Sequence, residues 1–161
     1  EIPLRLVGSE MCIRDRVYTE SGKLLAISDA GLTWFDGAQK PAPKKQIKFK
    51  RGIQSVFYNN KYVGVSYSDT KKENSWHIKV YDMNGKTVME NDTEIAYNRI
   101  ELLDNNEICV RDDYNCELFT IHSIRKFRYT FDRQLYNVLS GSDGQNYTLV
   151  LNGEIEEVRL Q

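Results

Sequence analysis

Short apolar runs punctuated by turn-forming pairs recur along the whole chain, and none of them keeps a helical period. The turn pairs are Ser21-Gly22, Asn59-Asn60, Asn105-Asn106 and Asp143-Gly144. Behind each comes an apolar stretch that predicts a strand: Leu24 to Ile27, Tyr62 to Val65, Ile108 to Val110 and Tyr147 to Val150. A further apolar stretch follows each of these, at Leu32 to Phe35, Ile78 to Tyr81, Leu118 to Ile121 and Ile155 to Val158. Ahead of the turn pairs stand first strands, predicted at Val17 to Thr19, Ile53 to Tyr58, Arg99 to Leu103 and Leu135 to Leu139. Fourth strands follow the turns Asp36-Gly37, Asn84-Gly85 and His122-Ser123, at Gln46 to Lys50, Thr87 to Glu90 and Lys126 to Phe131. Asn-Gly and Asp-Gly supply the positive φ angles that tight hairpins require.

The unit repeats. Glu117 to Glu156 is a step of 39 residues, as is Asp82 to Ile121, whereas Asp36 to Asp82 is 46 because of the extra loop Asp69 to Ser75. Four antiparallel strands per unit at this spacing is the arithmetic of β-propeller blades. The predicted fold is therefore all-β, a partial propeller of about three and a half blades at 17–52, 53–94, 95–134 and 135–161. An irregular β-sandwich or meander is the alternative. In the outermost strands Lys48 and Lys50 alternate with Ile47 and Phe49, and Lys126 and Arg128 with Phe127, Tyr129 and Phe131, which predicts one inward and one solvated face.

The opening stretch stands apart. Residues 1–16, from Glu1-Ile2-Pro3-Leu4 to Cys12-Ile13-Arg14-Asp15-Arg16, resemble one reading frame of a sequencing adaptor. They are expected to lie outside the fold, with the domain beginning in mid-fold at Val17 and any upstream segment missing. Without them the chain carries 19 basic and 20 acidic groups, so the net charge stays at -1. A near-neutral chain has no bulk attraction for phosphate backbones, which argues against nucleic acid as a partner even for the basic stripe Pro43 to Arg51. No apolar run approaches the ~18 residues that span a bilayer.

Candidate chemistry is sparse. Cys109 and Cys116 are predicted to be free, packed thiols: if Arg111 faces Cys116 across the turn Asp112 to Asn115, the sulfurs are two residues apart along the ladder, on a diagonal too long for a disulfide. His77 and His122 stand apart with no ligand spacing, so neither a metal site nor a nucleophilic triad is predicted. Ser140-Gly141-Ser142-Asp143-Gly144 lacks the helix and lysine of a phosphate loop. Asp112-Asp113 has no partner carboxyl to suit glycoside hydrolysis. No cofactor and no catalytic residue is assigned.

Neither the Gly-His step nor the Trp-Asp ending of common propeller repeats occurs. The run Tyr62-Val63-Gly64-Val65, then Ile78 to Lys86, Asn106-Glu107-Ile108, Cys116 to Phe119 and Val158-Arg159-Leu160 resembles the C-terminal half of an uncharacterised propeller-like family of Gram-positive anaerobes. The resemblance spans roughly residues 53 to 161. It implies an extracytoplasmic domain tethered to the cytoplasmic membrane by a helix missing from this chain, with no assigned activity.

The function expected is a non-enzymatic binding or scaffold module for an unknown protein or cell-envelope ligand. The alternative is part of a propeller enzyme whose active site lies in missing blades. Loops at one end of the blades carry the predicted contact residues: Asp69, Asp112, Asp113 and Tyr114 in the second-to-third-strand turns, and Arg51 and Arg133 in the fourth-to-first connections. Tyr114, placed at a hairpin tip rather than in a core position, is the predicted aromatic anchor.

Overall fold

β-Branched and aromatic residues between tight turns pair with their sequence neighbours, and every sheet among the described residues is built that way. The computed structural model describes residues 13–18, 22–29, 31–35, 43–50, 52–68 and 72–161. The chain divides into two compact units, residues 1–52 and 53–161.

The first unit holds β1 (Ile13–Tyr18), β2 (Leu24–Ser28), β3 (Gly31–Phe35) and β4 (Pro43–Lys48), an antiparallel meander in that spatial order. Leu25, Ile27, Leu32 and Trp34 are buried in it. Two expectations are corrected here. β1 starts at Ile13 rather than Val17, so Ile13 to Arg16, assigned outside the fold, have their backbone in an edge strand paired to β2. An open sheet edge pairs with any extended neighbour through main-chain groups alone. β4 starts at Pro43 rather than Gln46; as an edge strand it tolerates a proline that donates nothing to a ladder.

The second unit contains three sheets in sequential order. The first is β5 (Ser55–Tyr58), β6 (Tyr62–Ser68), β7 (Trp76–Asp82) and β8 (Thr87–Thr93). The second is β9 (Arg99–Leu102), β10 (Ile108–Arg111), β11 (Asn115–Phe119) and β12 (Arg125–Thr130). The third has three strands, β13 (Leu135–Ser140), β14 (Asn146–Leu151) and β15 (Glu154–Arg159). Turns fall where the sequence places them, with Gly85, Asn106 and Gly144 at φ 75, 64 and 65°. β11 ends earlier than expected, because Thr120 turns the chain: its amide donates to the Ile124 carbonyl and its hydroxyl accepts from the amides of His122 and Ile124. Among the described residues no helix is long and apolar enough to cross a membrane.

The middle sheet of this unit is buried on both faces. Ile100, Ile108, Val110 and Phe119 pack with Phe57, Ile78, Val80 and Met89 of the preceding sheet. From the opposite face Cys109, Cys116 and Leu118 pack with Val138, Tyr147, Leu149 and Leu151 of the following one. Each such side chain contributes roughly 1.5–3 kcal/mol by leaving water. Polar turns join the same sheets: the Asn59 side-chain amide donates to Asn106 Oδ1 at 2.9 Å, and the Asn105 amide donates to Ser140 Oγ at 3.3 Å. Four-stranded meanders of this order are propeller blades, as expected, and the fourth has three strands.

Candidate functional site

Asp112 turns the chain from β10 into β11 and is consumed in doing so. Its amide donates to the Asn115 carbonyl at 3.0 Å. Its Oδ1 accepts from the amides of Tyr114 and Asn115 at 2.7 and 2.6 Å, and the Asn115 side-chain amide donates to Oδ1 and Oδ2 at 3.1 and 2.9 Å. Partial burial by itself raises the Asp112 carboxyl, but the bonds from Tyr114 and Asn115 outweigh it and hold the group below its ordinary pKa. This carboxylate braces its own turn.

The tip of the hairpin is stapled to its surroundings. Asp113 Oδ1 accepts from the Asn98 side-chain amide at 2.8 Å, and its carbonyl accepts from the Leu135 amide at 2.7 Å. The Tyr114 carbonyl accepts from the Phe131 amide at 2.7 Å. These bonds fix the tip against the loop before β9 and the connection from β12 to β13. The Tyr114 side chain is left 49% exposed on an immobilised backbone. A rigid, half-exposed tyrosine offers apolar area and a hydroxyl at small entropic cost, which suits contact with another macromolecule.

The other predicted contact residues fare differently. Arg133 lies on the β12–β13 connection, the segment that carries the Phe131 and Leu135 staples, but its guanidinium is ion-paired with Glu154. Asp69 and Arg51 lie outside the described residues. The structure thus brings together Asp112, Asp113 and Tyr114, with Arg133 on the adjoining connection, and leaves the Tyr114 ring about half exposed.

Two features were not legible beforehand. Glu117, 1% exposed in the middle of β11, accepts from the Thr93 hydroxyl at 2.5 Å and from Arg125 Nη1 at 3.1 Å, with Arg128 Nη1 at 3.8 Å. Lys126 reaches Glu107 Oε1 and the Tyr147 hydroxyl, both at 2.7 Å, and that hydroxyl donates to Glu107 Oε2 at 2.5 Å. The expected solvated face of β12 holds for Arg128, which is about half exposed, whereas Lys126 reaches inward to Glu107 and Tyr129, expected to face inward, is 54% exposed. A lone glutamate inside the apolar run Cys116-Glu117-Leu118 was the available signal.

Arg111 pairs with Cys116 as expected, and the Cys109 and Cys116 sulfurs lie 3.7 Å apart, beyond disulfide bonding distance. Both thiols are free and buried. The bond between them, then burial, pushes the Cys109 thiol well above its ordinary pKa. Among the described residues no group of three or more His, Cys, Asp or Glu side chains is placed to hold a metal ion.

Comparison with known proteins places this geometry. The profile of a family described as "Family of unknown function (DUF5711)" matches residues 5–160. No curated protein matches the chain. Among solved structures, Hsv2 of Kluyveromyces lactis superposes with a TM-score of 0.57 at 10% identity over 96% of this chain and 51% of its own. The C-terminal WD40 domain of Sif2 gives a TM-score of 0.57 at 10% identity, over 96% of this chain and 47% of that one. BBS1N, solved in complex with ARL6DN, gives 0.56 at 11% identity, over 95% and 53%. The chain spans about half the length of these structures. At such identities the likeness shows the fold, a β-propeller architecture.

Proposed function

The chain belongs to this family of unknown function, DUF5711, and we propose that it serves as a non-enzymatic binding module whose protein partner docks on the stapled β10–β11 hairpin. The observation that carries the reading is Tyr114: half-exposed, at the tip of a turn whose backbone is bonded to Asp112, Phe131 and Leu135. The propeller architecture supports it, since blades hold loops rigidly at their ends, and one similar structure, BBS1N, was solved bound to a partner protein. The membrane-tethered, extracytoplasmic setting implied by the family resemblance belongs to the same proposal. Protease treatment of intact cells tests that setting, and a protected domain would remove it.

Site-specific crosslinking tests the binding face. A photoreactive side chain in place of Tyr114, introduced in the producing cell, is expected to capture a defined partner. The same group in place of Ile124, which is 62% exposed in the turn between β11 and β12, is expected to capture none. Equal capture from both positions, or none from position 114, overturns the assignment.

A further inference from the structure

We propose that the arginine pair Arg99 and Arg111, beside the Tyr114 hairpin, binds a carboxylate carried by an acidic side chain of the protein partner. The two residues face each other directly across the β9–β10 ladder. Like charges in that position repel. Glu101, two residues along β9 from Arg99, holds them together: its Oε2 accepts from Arg99 Nε at 3.2 Å and its Oε1 from Arg111 Nε at 3.4 Å. One carboxylate thus serves two guanidiniums, and a positive charge is left over.

That excess lies at a buried group. Arg111 is 5% exposed, and besides the Glu101 bond its guanidinium donates only from Nη1 to the Leu135 carbonyl, at 3.5 Å. Both bonds are long for their kind. A buried cation short of partners is stabilised by a second anion. Arg99 makes its one side-chain bond through Nε, and its side chain is 58% exposed, so the pair is reached from solvent on that side. The Nη groups of Arg99 offer an incoming carboxylate the paired, charge-assisted bonds that a guanidinium makes best.

The pair adjoins the hairpin tip through shared neighbours. Asn98 donates its amide to the Arg111 carbonyl at 3.1 Å and its side-chain amide to Asp113 Oδ1 at 2.8 Å. Leu135 accepts from Arg111 and donates its amide to the Asp113 carbonyl at 2.7 Å. A partner seated on Tyr114 therefore reaches the arginines with a neighbouring residue of its own. The Asp112 and Asp113 carboxylates do not serve the pair; they are bonded to Asn115 and Asn98. Assigning the carboxylate to that partner rests on the reading of Tyr114 above, whereas the anion site rests on the arginines alone.

Heteronuclear NMR of the Arg99 and Arg111 Nε–H signals in the 161-residue chain tests the site, with tetraglutamate as the probe and tetralysine and inorganic phosphate as comparisons. Tetraglutamate is expected to shift both signals saturably and tetralysine to leave them in place. Arg99→Gln, read at Arg111, is expected to weaken binding by about tenfold through loss of a charge-assisted bond. Glu101→Gln removes the internal competitor and is expected to strengthen binding by about tenfold, a gain that an unfolded variant could not show. No saturable shift with tetraglutamate, tighter binding of phosphate than of tetraglutamate, or affinity indifferent to both substitutions overturns the proposal. Photocrosslinking from position 114 separates the two claims: adding Arg99→Glu is expected to cut capture of the partner by about tenfold. Undiminished capture overturns the carboxylate's assignment to that partner. No capture even with Arg99 in place overturns the Tyr114 reading and with it the partner, but not the arginine site.

Discussion

Gly64 faces Phe57 across the β5–β6 ladder, and the ring lies where a side chain would begin. A Cβ built there would sit 2.1 Å from Phe57 Cζ. Phe57 is buried against Ile78, Val80 and Met89, so its ring has little room to withdraw. Gly64→Ala should destabilise the protein by about 1–3 kcal/mol, the usual cost of overpacking, seen as a lower urea midpoint at unchanged slope. A variant as stable as the parent would show that the ring moves freely. The residue itself was plain in the run Tyr62-Val63-Gly64-Val65, but its purpose was not, because the ring that requires it comes from another strand. Tyr114 was legible for the opposite reason: a hairpin tip exposes its side chain whatever the rest of the fold does. Asp112 lay in the same turn, and only the bonds of its carboxylate distinguish a brace from a contact.

Strands and turns could be read from local patterning, since two-residue turns and apolar runs are set by neighbouring residues. Facing was harder. β11 is buried on both sides, so polar alternation is absent there, and the partners of Glu117 come from Thr93 and from β12. Lys126 of β12 looked solvated because sequence shows the charge without its distant carboxylate, Glu107. Removing the Glu117 carboxylate strands the Thr93 hydroxyl but leaves Arg125 and Arg128, each about half exposed, in water. Glu117→Ala is therefore expected to lower stability by about 2–3 kcal/mol, near the upper range for hydrogen bonds to a charged group, and Glu117→Gln by less. Denaturant titration of the two variants measures this. Equal losses would assign the effect to packing rather than to charge.

At the scale of the molecule, several buried groups bias stability in the same direction with pH. Burial first, then Tyr67 and Glu90, pushes the Tyr81 phenol up to about 12, and burial with the Glu107 bond raises Tyr147. Cys109 is raised as well. Each group stays protonated in the folded state while the unfolded chain ionises, so the folded state holds more protons and stability falls as pH rises. Burial lowers Lys126, but its bonds to Glu107 and Tyr147 outweigh that and raise it, so its contribution is also present at neutral pH and lost in alkali. Urea midpoints should decline above about pH 8.5, where unfolded cysteines ionise, and more steeply above about pH 10. Cys109→Ser should remove the first step. A midpoint constant to pH 10 would contradict the arrangement. The blade architecture was visible in the spacing of the repeat, whereas the bonds that lock sheet to sheet were not. The Asn59 to Asn106 bond joins positions 47 apart in the chain, and neither asparagine keeps its partner if the other is replaced. Over evolutionary time these two sites should drift as a pair, each constrained by a residue that nothing nearby in the primary structure would single out.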